Sequence, residues 1–451
     1  MAQRTFMKPF RIGSGAGYSG DRIDPARDLA ERGELDALVF ECLAERTIAL
    51  AQLRHLRDRE QGYDLLLKER MRAVLPACVR QGTTLITNMG AANPVAAGQA
   101  VLQVARELGL TRLRVAVVTG DDVLPWMLAN NAPLLESDQT VRSLHDRLIS
   151  ANAYLGADAL LPALAAGADV VITGRVADPA LFLAPLMHHF GWKGDDWQRM
   201  GQGILVGHLL ECAAQVSGGY IADPGFVDVP ALHEVGFPLA EVQADGNAVI
   251  TKLEGTGGRL DRLTCTAQLL YEIEDPARYL QPDVVADFSA VQIRAMGDDR
   301  VQVSRASGHP RPEHLTVTLG YRDGFIGEGQ ISYAGPGARA RGELALSVLR
   351  HRLKKRGLDA LEQRSELVGV NAMHGAALGS HHEPYEVRVR LAVRCDTQAQ
   401  AELVGQEVEA LYLNGPAGGG GVTQSVREVI AAASSMIPRE AVRTQCHILE
   451  L

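Results

Sequence analysis

The amino-acid sequence predicts an α/β protein: a mostly parallel sheet with helices on both faces, followed by an α+β domain with antiparallel strands. In the first half, short apolar runs such as "LDALVFEC" alternate with helical stretches, as is typical of parallel strands joined by helices. Beyond about residue 225, stretches such as "EVRVRLAVRC" alternate apolar and polar residues, which indicates half-exposed antiparallel strands. We therefore predict an α/β Rossmann-like domain over residues 1–225 and an α+β domain over residues 226–451.

The elements of the first domain follow in this order. The strand "FRIG" runs into a glycine-rich turn, and "DPARDLAERG" is a short helix with proline in its first turn and Gly33 as its stop signal. The later strands are "LDALVFEC", "TLITNMG", "LRVAVVTGDD" and "DVVITGRVAD", and a helical pattern follows each of them. Repetition of this unit predicts a parallel sheet.

The second domain combines long strands with helices. "HLTVTLGYRDGFIGEGQISYAG" alternates like a strand pair, with a hairpin turn predicted at Arg322-Asp323-Gly324. The helices "ARGELALSVLRHRLKKRG" and "TQAQAELVGQEVEALYLNG" each follow a strand. "NGPAGGGG" is predicted to be a loop that enters a helix at "TQSVREVIAAASS", where backbone N–H groups can bind a phosphate.

Charge and cysteine usage exclude several classes of protein. The chain has 54 acidic and 45 basic residues, a net charge of −9, which argues against a general nucleic-acid or anionic-membrane surface. Its six cysteines form no CxxC pair, so we predict reduced thiols, no metal site and a cytoplasmic protein. No stretch reaches the roughly 18 apolar residues of a membrane span.

The turn Gly15-Ala16-Gly17-Tyr18-Ser19-Gly20 matches the G-x-G-x-x-G spacing of dinucleotide-binding sites. Glu41 lies about twenty residues further on, where a ribose-binding acid belongs. However, the next helix begins no earlier than Asp24, too late to point its N–H groups at a pyrophosphate. Two interpretations stay open, NAD(P) binding and a tight turn that needs glycine for close backbone packing.

Polar residues follow the ends of several predicted strands, and these ends share one edge of a parallel sheet, where ligands bind. Candidate catalytic residues are Glu41, Asp122, Arg175 and Asp178. Candidate substrate-binding residues are Gly15, Gly17, Asp21, Arg22, Glu45, Arg46, Asn88, Gly90, Asn93, Gly174, Gly218, Gly418 and Gly419. Arginines there can hold a carboxylate or phosphate bidentately.

Several of these side chains have an alternative structural role. Asn93 and Asp178 precede prolines, as helix N-caps do, and Asp121-Asp122 can cap the helix that follows. His374, His381, His382 and Glu383 cluster in "NAMHGAALGSHHEPYEV", but without the i,i+4 spacing of a helical metal site. An exposed loop is the favoured interpretation of that cluster.

Long motifs cover nearly the whole chain: "GSGAGYSGDRIDPARDLAERGELDALVFEC", "TNMGAANP", "ITGRVADPALFLAPLMHHFGW", "ECAAQVSGGY" and "NGPAGGGG". In these motifs the chain resembles the acyclic terpene utilisation family, the AtuA-like proteins. The resemblance implies a role in degrading citronellol- and geraniol-type acids as CoA thioesters, beside acyl-CoA carboxylases and enoyl-CoA hydratases. It assigns no reaction and therefore no catalytic residue. Longer members carry an additional C-terminal ferredoxin-like domain, which we expect to be lacking after "CHILEL".

We therefore expect a catabolic enzyme for an acyl-CoA thioester or a small carboxylate, with hydration, dehydration or isomerisation as its reaction. Glu41 or Asp122 is the expected base, and Arg175 and Arg22 the expected anion anchors. The cofactor is left open: coenzyme A as part of the substrate is favoured over NAD(P). The alternatives are an NAD(P)-dependent oxidoreductase that uses the glycine turn and a non-enzymatic partner of an acyl-CoA carboxylase or hydratase. A homo-oligomer is expected in each case.

Overall fold

The computed structural model describes residues 8–359, 361–375 and 383–451. Within this part of the chain the strands are β1 Phe10–Ala16, β2 Ala37–Phe40, β3 Thr84–Thr87, β4 Arg114–Thr119, β5 Leu148–Ala153, β6 Val170–Thr173, β7 Pro238–Val242, β8 Ala248–Lys252, β9 Tyr279–Leu280, β10 Val285–Asp287, β11 Gln292–Gly297, β12 Arg300–Ser304, β13 Ser307–His309, β14 His314–Ala334, β15 Gln363–Val368, β16 Glu386–Cys395, β17 Gly420–Pro438 and β18 Gln445–Glu450. The helices are α1 Asp24–Arg32, α2 Glu45–Arg57, α3 Leu67–Gln81, α4 Pro94–Glu107, α5 Leu124–Asn130, α6 Leu161–Ala165, α7 Asp178–Phe190, α8 Trp197–Glu211, α9 Arg262–Leu270, α10 Ala338–Lys355, α11 Gln398–Glu409 and α12 Leu411–Asn414. None of the described helices is both long and apolar enough to span a membrane.

The first compact unit extends to residue 320 and includes residues 432–451. Its main sheet has the strand order β11-β12-β8-β7-β1-β2-β3-β6-β4-β18. The five central strands, β1, β2, β3, β6 and β4, are parallel, and antiparallel strands extend the sheet on both sides. A mostly parallel sheet was predicted for this part of the chain, and the structure confirms it.

Helices cover both faces of this sheet because its strands are apolar on both sides. Val170 and Ile172 of β6 pack into a core with α1, α3 and α4. Val171, between them, packs into a second core with α6, α7 and α8. Successive residues of a strand point to opposite faces, so the apolar run requires a helical layer on each side.

The predicted boundary at residues 225–226 falls inside this unit. The next strands, β7 and β8, pair with each other, and β7 pairs antiparallel with β1. This pairing extends the parallel sheet with the first strands after the boundary. The change from buried to alternating strands therefore marks the antiparallel part of one sheet.

The second compact unit covers residues 321–431. It contains parts of β14 and β17, with α10, β15, β16 and α11 between them in the chain, and its strand order is β15-β16-β14-β17. A βαββαβ chain with this order is a ferredoxin-like arrangement. Its core includes Ile331, Leu349, Val389 and Val404.

Two local predictions in this region are wrong. β14 continues through Arg322–Gly324, where a hairpin was predicted, and pairs with β16 from Phe325 to Ala334. The predicted helix "TQSVREVIAAASS" is part of β17. Ala433, Ser435 and Ile437 are buried in alternation, which is the period of a strand.

Candidate functional site

Three side chains from neighbouring parallel strands meet at the carboxyl edge of the large sheet. Glu41 follows β2, Asn88 follows β3 and Arg175 follows β6, and these strands are adjacent. Nδ2 of Asn88 donates to Oε1 of Glu41 over 3.0 Å, and the same oxygen accepts the Leu43 N–H over 2.8 Å. The strand order thus brings three predicted site residues to one place, as expected for the carboxyl edge of an open sheet.

Arg175 lies at the centre of this site and is 2% exposed. Its Nη1 donates to the carbonyl of Leu43, and its Nη2 lies 3.3 Å from Oδ1 of Asp178 and 4.0 Å from Oε1 of Glu45. The guanidinium stacks on Tyr154, with Cζ 4.0 Å from the ring centre. A cation over an aromatic face is stabilised by the ring quadrupole, so Arg175 is held from several sides.

The carboxyl groups around Arg175 differ in acidity. Burial raises the pKa of Glu41 well above its usual value, and the charge of Asp178 raises it further. Burial also raises the pKa of Asp178, to about 6, although Arg175 opposes this change. For Glu45 burial is outweighed by Arg175 and by the Tyr154 hydroxyl, and the net pKa is lowered. The site therefore combines a carboxyl that favours its proton with carboxylates that release theirs.

The two adjacent aspartates after β4 have separate roles. Asp121 is buried, and its Oδ2 accepts hydrogen bonds from the Arg175 backbone N–H over 2.8 Å and from Asn152 over 2.9 Å. Asp122 is exposed and accepts the Leu124 N–H over 3.1 Å in the turn that precedes α5, whose N-cap residue is Val123. The carboxylate that supports the Arg175 loop is thus that of Asp121, whereas the predicted catalytic candidate Asp122 bonds to the backbone of the turn before α5.

A second acidic group near this site was not predicted from the sequence. Nδ1 of His208 lies 2.8 Å from Oε1 of Glu211 at the end of α8, and both residues are buried. Burial raises the pKa of Glu211 well above its usual value, with a further contribution from Asp178, and lowers the pKa of His208 to about 4. Glu211 is therefore a second buried carboxyl whose pKa is raised. The feature of the sequence that indicates this pair is the i,i+3 spacing of His208 and Glu211, which places them on one helix face.

Close packing accounts for the glycines of the strand-end loops. A Cβ atom at Gly17 would lie 2.5 Å from the Cys212 carbonyl carbon, and one at Gly15 would lie 2.6 Å from the Phe40 ring. A Cβ at Gly174 would lie 2.5 Å from the Asp121 carboxylate, and one at Gly90 would clash with the Thr173 carbonyl. Close packing alone therefore explains why these positions are glycine, as the packing interpretation of the G-x-G-x-x-G turn predicts.

The side chains beside the turn also have local partners. Asp21 closes the turn by accepting the Gly17 N–H over 2.9 Å. Arg22 forms an ion pair with Asp24. Asn93 is the N-cap of α4, where it accepts the Ala96 N–H over 3.2 Å. These contacts correspond to the capping and turn roles considered as alternatives to ligand binding.

The remaining predicted residues are not part of the contacts described above. Arg46 is exposed on α2, and Gly218 has a left-handed backbone with φ of 96°. Gly418 and Gly419 belong to the second unit, where Gly418 has φ of 73° and Gly419 packs against Ile331. Thus they are not assigned to the site built around Arg175.

The predicted histidine cluster is only partly described. His381 and His382 lie outside the described residues, whereas His374 is in a turn and Glu383 follows the gap. Across the described ranges, no group of three or more His, Cys, Asp or Glu side chains is arranged to hold a metal ion. The described groups around Arg175 are carboxyls, the Asn88 amide and the Tyr154 ring.

Comparison with known proteins identifies one family. A family model described as "Acyclic terpene utilisation family protein AtuA" matches residues 10–448. Comparisons with curated proteins and with solved structures give no significant match. The match extends over both compact units.

Proposed function

The chain belongs to the acyclic terpene utilisation family, and on this basis we propose that it is a catabolic enzyme of acyclic terpene or branched-chain acid degradation. Its proposed substrate is a small carboxylate or an acyl-CoA thioester, and its proposed reaction is a proton transfer in hydration, dehydration or isomerisation. The observation that supports this proposal is the buried Glu41 carboxyl beside Arg175 and Asp178. Such an arrangement suits general acid–base chemistry near neutral pH.

Glu41 acts as the general acid in this proposal. Its Oε1 is held by Asn88 and by the Leu43 N–H, so we assign the proton to Oε2. In a dehydration, Asp178 takes a proton from the carbon next to the carbonyl and Glu41 gives its proton to the departing hydroxyl, which leaves as water. In the hydration direction the two groups exchange these roles, as microscopic reversibility requires.

Arg175 binds the negative charge of the substrate in this proposal. Glu45, whose side chain is 52% exposed, lies at 4.0 Å from the guanidinium and is the carboxylate that a substrate anion most readily displaces. An enolate or carboxylate oxygen then takes its place. A guanidinium in a water-poor site stabilises such charge more strongly than in water because the local dielectric constant is low.

The test combines ligand binding with turnover. Thermal unfolding is measured with branched carboxylates, acyl-CoA thioesters, NAD(P)H and free CoA, because a ligand at a hundred times its Kd adds about 2.7 kcal/mol of stability. Turnover of the stabilising compound is then followed in the wild type and in Glu41→Gln. We expect Glu41→Gln to lower kcat about 10²–10⁴-fold, while Glu31→Gln, on an exposed position of α1, leaves it unchanged.

Each alternative function has its own outcome in this experiment. Stabilisation by NAD(P)H alone would favour the oxidoreductase. Co-purification with an acyl-CoA carboxylase or hydratase, with no response to small molecules, would favour the non-enzymatic partner. Equal turnover in Glu41→Gln and the wild type would contradict the role assigned to Glu41.

A further inference from the structure

A cavity, here called the Arg54 pocket, lies at the carboxyl edge of the large sheet, as the Arg175 site does. It has a volume of about 180 Å³, and its apolar wall includes Leu43, Leu50, Ala51, Met89 and Ala91. These residues come from the ends of β2 and β3 and from α2. An apolar cavity of about 150 Å³ holds a benzene-sized molecule. The volume therefore suits a short organic acid and is below the range of about 300–1,000 Å³ that takes larger ligands.

The polar wall of the pocket carries an incompletely bonded cation. Nη2 of Arg54 donates to the Tyr63 carbonyl over 3.2 Å. Its Nε atom is buried and has no hydrogen-bond partner among the described residues. Burial also lowers the pKa of Arg54 from its usual value. The Arg54 side chain is also part of the pocket lining, so its guanidinium is the cation that an anion in the pocket would meet.

The one carboxylate in the pocket wall does not oppose an anion strongly, because its charge is already neutralised. Oδ2 of Asp64 accepts the Ser19 hydroxyl over 2.5 Å, and its Oδ1 accepts the Leu66 N–H over 2.8 Å. Nη1 of the fully buried Arg70 lies 3.5 Å from the same Oδ1. Arg70 thus offsets the charge of Asp64, and the Arg54 guanidinium in the pocket wall is left to pair with an anion.

We propose that the Arg54 pocket binds a short branched-chain monocarboxylate, with its carboxylate on the guanidinium of Arg54 and its alkyl chain against Leu43, Leu50 and Met89. The volume, the apolar wall and the Arg54 guanidinium each fit one part of this ligand. The inference rests on the proposed function for the class of acid. The binding itself requires no reaction at Glu41.

The pocket also shares a wall with the Arg175 site. The N–H of Leu43 donates to Glu41 and its carbonyl accepts from Arg175, whereas Leu43 also lines the Arg54 pocket. A ligand that orders Leu43 therefore acts on the backbone that holds the acid and the guanidinium. This contact places the pocket beside the proposed reaction site, across one residue of backbone.

Isothermal titration of the full chain with 3-methylbutanoate tests the proposal directly. Two matched ligands separate the contribution of the charge from that of the alkyl chain. 3-Methylbutanamide has the same shape without the charge, and acetate has the charge without the branched chain. Two variants test the same contributions from the side of the protein: Arg54→Gln removes the cation, and Ala51→Phe fills the cavity. Thermal unfolding of each variant shows that it is folded.

We expect 3-methylbutanoate to bind the wild type and Glu41→Gln alike, and Arg54→Gln at least about tenfold more weakly, because a charge-assisted hydrogen bond is lost. The amide and acetate should also bind more weakly than 3-methylbutanoate. Equal binding to the wild type and to both folded pocket variants would overturn the proposal, as would no binding to the wild type. Binding to Glu41→Gln without turnover by any form would leave the pocket assignment supported and count against the proposed reaction alone.

Discussion

Cζ of Arg175 lies 4.0 Å from the centre of the Tyr154 ring, so a buried cation is covered on one face by an aromatic side chain. The Tyr154 hydroxyl donates to Glu45 and accepts from Thr318 over 3.2 Å. One residue thus contacts both the guanidinium and one of its carboxylate partners. Tyr154 thereby fixes the distance between opposite charges in the site, and its ring and its hydroxyl can be tested separately.

Tyr154→Phe and Tyr154→Leu separate these two contributions. Tyr154→Phe keeps the ring face and removes the hydroxyl, so we expect a loss of about 1 kcal/mol of unfolding free energy. Tyr154→Leu also removes the cation–π contact and should cost about 0.5–2 kcal/mol more. Urea denaturation measures both values. Equal losses in the two variants would show that the ring face contributes nothing to holding Arg175.

Replacement of Arg175 should lower the free energy of unfolding, because acidic side chains surround the guanidinium. Arg175→Met leaves the Asp178 carboxylate without its buried counter-charge, and we expect a loss of about 3–5 kcal/mol at pH 7.5. At pH 5.5 the loss should be smaller, because the carboxyls accept protons and no longer repel one another. Urea denaturation at the two pH values tests this expectation. Arg175→Lys, which retains the charge, is the control, and an equal loss at both pH values would contradict the prediction.

Asp283 is predicted to make the stability of the first unit dependent on pH. Its Oδ1 accepts the Ala157 N–H over 2.9 Å, and burial, with a contribution from Asp158, raises its pKa to about 7 from an unfolded value near 3.8. Between these two values the folded state binds more protons than the unfolded state, so stability falls as pH rises from about 4 to about 7. A pKa difference of one corresponds to about 1.4 kcal/mol, so the total change is a few kcal/mol.

Asp283→Asn should remove this part of the pH dependence, because the amide keeps the acceptor for Ala157 and does not titrate. Denaturation midpoints at pH 5, 6, 7 and 8 give the slope for the wild type and the variant. The wild type should lose stability more steeply across this range. Parallel slopes would mean that Asp283 is not the titrating group.

Gly17→Ala tests the packing role of the glycine turn. The added Cβ would lie 2.5 Å from the Cys212 carbonyl carbon, and a backbone neighbour cannot move aside cheaply. We expect a loss of about 1–3 kcal/mol, measured by urea denaturation. Gly194→Ala is a suitable control because its Cβ meets nothing within 4 Å. An unchanged midpoint for Gly17→Ala would show that the turn has space for a side chain, and would restore the dinucleotide interpretation.

The sequence was sufficient to predict which strand ends supply the site. Glu41, Asn88 and Arg175 each follow a buried apolar run, and parallel strands place such residues at one edge. Asp121 and Asp122 could not be distinguished, because neighbours in an extended chain point to opposite sides and only the packed structure shows which side is buried. Glu211 lies on α8 rather than after a strand, so it is not among the residues predicted from the strand ends.

The wrong prediction of a helix in the segment that forms β17 also has a physical reason. Val422, Val426 and Ile430 recur every four residues, which fits one face of a helix as well as an irregular strand. The glycines before them resemble a helix entry loop. Pairing within the sheet outweighs this local pattern, as β propensity depends on the neighbours of the strand. Local sequence does not contain those neighbours.

The pairing of β4 with β18 has a consequence for how the protein is made in the cell. Glu450 of β18, the partner of Arg114, is 336 residues further along the chain. At about 5–20 residues per second, the ribosome needs between roughly twenty seconds and a minute to deliver it. During translation the side of β4 that β18 later occupies is an open edge, and open edges recruit other chains. This edge of the nascent protein is thus open to aggregation until β18 emerges.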